Sequence, residues 1–156
     1  MKTASISEIK KELQYKSQDE LLELCLRLSK FKKENKELLT YLLFESHNED
    51  SYIQSVQNYI DIEFSAINTA SYFYIKKSVR KILRNIKKYT RYSLNKETEV
   101  ELLIYFCEKL RDFKPSIKHN VTLLNMYHRQ ILLAKKITAT LHEDLQYDFN
   151  LKLDSL

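Results

Sequence analysis

The chain has 156 residues, of which 44% are hydrophobic and 30% charged, with a formal net charge of +5, one proline and no glycine. Average usage would place about 11 glycines in this length, and without them there is no routine access to positive φ. Glycine-rich phosphate loops, dinucleotide fingerprints and two-residue hairpin turns are therefore excluded together.

What remains is helices joined by short polar turns, six or seven of them in a single all-α domain. Ser5 with Glu8 reads as a capping box that opens a first helix ending near Tyr15. Ser17 with Glu20 opens a second, whose Leu21, Leu24, Cys25, Leu28 and Phe31 recur at three and four as an inward stripe. After a polar break at Glu34-Asn35, a third carries Leu38, Leu39, Leu42 and Leu43 to about His47.

The fourth helix is expected over about 49–68, with Ile53, Val56, Ile60 and Phe64 inward, and the fifth over about 71–92. A turn at Asn95-Lys96 leads to a sixth on Leu102, Leu103, Phe106 and Leu110. Pro115, which cannot continue a helix, separates it from a seventh over about 116–142. In the tail, 145–156, Leu145, Tyr147, Phe149, Leu151 and Leu153 alternate with polar residues. Period two marks a strand, so this tail is read as non-helical. Either it pairs with a partner's sheet edge, making a homo-oligomer, or it packs as coil or frayed helix on its own bundle.

Two internal similarities suggest halves, 1–70 and 71–144. Ile9-Lys10-Lys11 with Tyr15 reappears as Ile86-Lys87-Lys88 with Tyr92. Leu21-Leu22, Leu24-Cys25, Leu28 and Phe31-Lys32 reappear as Leu103-Ile104, Phe106-Cys107, Leu110 and Phe113-Lys114. Stacked helical hairpins of a short solenoid would explain this; so would chance alignment of leucine-rich helices in an irregular bundle. The opening segment SEIKKELQYKSQDELLELCLRLSKFKKENKELLTYLL, with Phe31-Lys32-Lys33 and Lys36-Glu37-Leu38-Leu39, resembles the start of small uncharacterised bacterial all-helical proteins and, loosely, HEAT-like helical repeats. The resemblance spans about the first 45 residues, implies a helical repeat or bundle, and supplies no active site to carry over.

No apolar run approaches the roughly 18–20 residues of a membrane span, and no charged-then-apolar leader is visible. The expectation is a soluble cytoplasmic protein in which Cys25 and Cys107 are buried free thiols. His47, His119, His128 and His142 have no partner at the spacing that sets two metal ligands on one helical face. Neither metal, cofactor nor catalysis is expected. His142-Glu143-Asp144 reads as a polar cluster at a helix end.

Charge is unevenly placed. Residues 1–63 hold 9 basic and 12 acidic groups, 64–96 hold 9 basic and none acidic, and 97–156 hold 8 basic and 9 acidic. Projected at 100° per residue, Ile75, Val79, Ile82, Leu83, Ile86 and Tyr89 share an arc of about 120° on the fifth helix. Lys76, Lys77, Arg80, Lys81, Arg84, Lys87, Lys88 and Arg91 share a separate arc of about 140°. A basic stripe along one helix is the footprint of phosphate recognition, and Tyr72, Tyr74, Tyr89 and Tyr92 beside it could stack on bases. The function this supports is a non-catalytic module that binds nucleic acid or another polyanion. Other readings are a scaffold or adaptor that presents the stripe to an acidic protein, contact with anionic lipid, and a stripe neutralised within the fold by Glu49, Asp50, Asp61 and Glu63.

Overall fold

In the computed structural model, which describes residues 1–156, the chain forms eight α-helices and no strand. They are α1 (Ile6–Gln14), α2 (Gln18–Phe31), α3 (Lys33–Thr40), α4 (Glu49–Ser65), α5 (Tyr72–Ser93), α6 (Lys96–Asp112), α7 (Val121–Thr138) and α8 (Glu143–Asp154). A π-helical turn, Tyr41–Glu45, follows α3, and a 3-10 turn, Ile117–His119, precedes α7.

Both expected capping boxes are present. Ser5 and Glu8 exchange side-chain and backbone bonds at the start of α1, and Ser17 and Glu20 do so at α2. Each accepts from amides that would otherwise lack partners. Asn48, Asn95 and Asn120 cap α4, α6 and α7 more simply, each side chain accepting one first-turn amide, from Ser51, Glu97 and Leu123.

The chain divides into two compact units, residues 1–44 and 45–156. In the second, α6 is the common neighbour of α4, α5, α7 and α8. It is buried on most of its circumference, with Val100, Leu102, Leu103, Phe106, Cys107 and Leu110 at most 1% exposed. Ile60 and Phe64 of α4, Ile75, Val79, Ile82 and Ile86 of α5, and Leu123 and Ala134 of α7 are buried in the same unit. The first unit differs in kind: α3 packs on α2, yet none of the three helices α1 to α3 has a buried residue.

Three expectations are corrected. The tail is not a strand or coil but α8, because Leu145, Phe149 and Leu153 sit four apart within the period-two alternation and form one helical face. Phe149 and Leu153 are buried, whereas Tyr147 and Leu151 are exposed. The helix count is therefore eight, and the sheet-edge route to a homo-oligomer through 145–156 is removed. Secondly, Glu143 and Asp144 do not close a helix. They open α8, where His142 accepts the Asp144 amide and the macrodipole favours acids. Thirdly, Cys25 is exposed and only Cys107 is buried, because the α2 stripe expected to face a core is uncovered. No helix is long and apolar enough to cross a membrane.

Candidate nucleic-acid interface

The site is built on α5, a helix of 22 residues whose apolar and charged faces are strongly separated. Ile75, Val79, Ile82, Leu83, Ile86 and Thr90 are buried; five of these are on the apolar arc read from the sequence, with Thr90 replacing the half-buried Tyr89. The C-terminal end is fixed by two contacts with α4. Tyr52 donates to the Tyr89 carbonyl at 3.0 Å, and Glu49 accepts from Ser93 and also, at 2.6 Å, from Thr98 Oγ1 of α6.

Opposite this buried face lie the eight cations. Lys77, Arg80, Lys81, Arg84, Lys87 and Arg91 are exposed, and Lys76 and Lys88 are half-buried. Lys81 Nζ meets Glu63 Oε2 at 2.8 Å, and that hydrogen-bonded carboxylate holds the Lys81 pKa above its ordinary value. Lys88 Nζ lies 4.9 Å from the centre of the Tyr89 ring. Lys76, Lys77, Arg80, Arg84, Lys87 and Arg91 have no carboxylate within ion-pair distance. Neutralisation within the fold therefore reaches only part of the stripe. Asp61 instead accepts from Tyr105 at 2.8 and 2.9 Å and pairs with Lys109 at 2.8 Å. Burial, then the Asp61 hydrogen bond, raises the Tyr105 pKa, and the Asp61 bond raises that of Lys109.

Lys77, Arg80, Arg84, Lys87 and Arg91 project within about 80° of one another and span roughly 21 Å at 1.5 Å per residue. Beside them is an open groove of about 700 Å³, lined by Arg80, Leu83, Arg84, Lys87, Thr90 and Arg91 of α5, by its C-cap Leu94, by Glu99 of α6 and by Leu133 of α7. Cations, apolar side chains and one carboxylate thus line the same depression.

The tyrosines divide. Tyr72 donates to the Ser116 carbonyl at 2.9 Å, Tyr89 meets the Tyr59 ring edge-on at 5.5 Å, and Tyr92 leans on Tyr89 at 6.1 Å. These three are engaged in the fold. Tyr74 is half exposed and in edge contact with Phe73, which is 67% exposed. Phe73 was missed in the sequence reading, although its azimuth coincides with that of Arg91, so it heads the basic row. The groove's far wall was also missed, since Leu133 and Glu99 reach it only through tertiary packing.

The four histidines are all exposed and scattered over the chain, and no three His, Cys, Asp or Glu side chains gather as a metal site. Burial pushes the Cys107 thiol up to about 12, which leaves it a packing residue whose Sγ faces the Tyr127 carbonyl. Comparison with protein-family models, with curated proteins and with solved structures finds no match for this chain.

Proposed function

We propose that the chain is a non-catalytic module that binds nucleic acid through backbone phosphates on the α5 face. The observation that carries this reading is the row Lys77, Arg80, Arg84, Lys87 and Arg91, exposed and without carboxylate partners. Cations three and four residues apart on a helix repel by a few tenths of a kcal/mol per pair, a cost that a polyanion turns into attraction. Phosphate contacts carry no base identity, so low sequence specificity is expected. The exposed Phe73-Tyr74 pair at the head of the row offers a stacking surface to an unpaired base.

Fluorescence anisotropy against a random duplex and a single strand tests this. With five phosphates engaged, log affinity should fall against log salt with a slope of about −4 to −5 on duplex. Changing Arg80, Arg84, Lys87 and Arg91 together to Glu should abolish binding, and Phe73→Ala should weaken only the single strand. Absence of binding at about 50 mM salt would refute the proposal, because the electrostatic term is largest there.

A second reading is supported by the apolar wall of Leu83, Leu94 and Leu133, which an acidic protein segment with apolar side chains would fit better than a phosphate backbone. Leu133→Asp separates the two. It should leave nucleic-acid affinity within a few-fold and would block an acidic, partly apolar segment.

A further inference from the structure

The groove beside α5 holds one group that a phosphate backbone does not explain. Glu99, on the first turn of α6, is half-buried and lines the same depression as Arg80, Arg84, Lys87 and Arg91. Its amide bonds the Asn95 carbonyl at 3.1 Å, but its carboxylate has no ion pair or hydrogen bond within the chain. Toward a phosphate that carboxylate is repulsive. It becomes attractive to a ligand that brings hydrogen-bond donors together with negative charge, because an ionised carboxylate can only accept. Leu83, Leu94 and Leu133 add apolar surface to the groove, whose volume of about 700 Å³ is that of a small-molecule site. A nucleotide supplies a counterpart to each of these: a phosphate for the cations, a flat apolar ring face for the leucines, and a polar base edge for Glu99.

An acceptor-only group discriminates among the bases. Adenine and cytosine each present one amine beside a ring-nitrogen acceptor, and thymine or uracil presents one N–H between two carbonyls, so each sets a lone pair against the carboxylate. Guanine alone places two donors side by side, N1–H and the 2-amino group, and the two oxygens of one carboxylate accept both. That edge is free only in an unpaired base. We infer that the groove takes an unpaired guanine of a nucleic-acid strand, with N1–H and the 2-amino group donating to Glu99, the ring face on the leucines, and the flanking phosphates on the α5 cations. The inference rests on the nucleic-acid reading of α5 and adds to it a base preference at one nucleotide. Contacts to the other nucleotides stay indifferent to sequence, and a duplex, whose guanine edges are occupied by cytosine, gains only the phosphate contacts.

Anisotropy on the full chain with thymine strands of about 12 nucleotides, carrying one central guanine, adenine or cytosine or none, reads the preference directly. The guanine strand should bind about fivefold tighter or more. Glu99→Gln should bring guanine to within about twofold of the other bases while holding the all-thymine strand at least as tightly, since a negative charge leaves the groove. Replacing the guanine by inosine, which lacks the 2-amino donor, should remove most of the preference, and 7-deazaguanine should keep it. Equal binding of all strands, or a guanine preference that survives Glu99→Gln, overturns the inference and leaves the α5 reading standing. Loss of the preference with 7-deazaguanine also overturns it, by assigning the guanine to an arginine at its N7 edge. Absence of binding to any strand or duplex removes both. Guanosine monophosphate at about 1 mM should displace less than half of the strand, because it brings a single phosphate to the row; full displacement would overturn the strand as ligand in favour of the free nucleotide. Running each strand as DNA and as RNA assigns the sugar, and a guanine preference in neither form overturns the inference.

Discussion

Leu94 holds a backbone conformation that most chains assign to glycine. It ends α5 at φ 56° and ψ 9°, its amide bonding the Thr90 carbonyl at 3.0 Å, with a side chain 83% exposed. The left-handed region costs an L-residue with a Cβ about 1–2 kcal/mol, and helices commonly end on such a residue for the carbonyl bonds it completes. With no glycine in the chain, leucine bears that strain at the end of the basic groove. Leu94→Gly should therefore raise stability by about 1 kcal/mol in urea denaturation, since relief of the Cβ clash exceeds the added flexibility of the unfolded chain. A loss of stability would mean that the exposed leucine makes packing contacts that outweigh its strain.

At the scale of the element, α8 separates two periodicities that share residues. A strand would place Leu145, Tyr147, Phe149, Leu151 and Leu153 on one face; the helix buries Phe149 and Leu153 and leaves Tyr147 at 67% exposure. Phe149→Ala should thus cost about 3–5 kcal/mol, and Tyr147→Ala should stay within about 0.5 kcal/mol. Equal effects at both positions would restore the alternating reading. The same contrast shows how far the elements were legible. Capping residues marked where α1 and α2 begin because a cap is a local hydrogen bond. The azimuths of α5 separated its buried and charged arcs because both depend on one helix. The exposure of the α2 stripe was not legible, since α2 and α6 carry nearly the same apolar pattern and only tertiary neighbours distinguish them. Nor was the fate of the tyrosines: Tyr72, Tyr89 and Tyr92 are held by Ser116, Tyr59 and one another, and most of those partners lie far away in sequence.

For the whole molecule, the distribution of burial places the hydrophobic core in one of the two units. Every buried apolar residue except Tyr41 lies beyond residue 44, so residues 45–156 hold a core of their own. They also hold all eight α5 cations and the four groove-facing leucine and threonine positions Leu83, Thr90, Leu94 and Leu133. The 45–156 fragment should then unfold in one cooperative urea transition and bind a short duplex with the affinity and salt slope of the full chain. A fragment that does not fold would show that the first unit contributes to the core. One that folds but loses nucleic-acid affinity would show that cations before residue 45 share the site. Folding and binding are two measurements on one fragment, and each addresses a different set of residues.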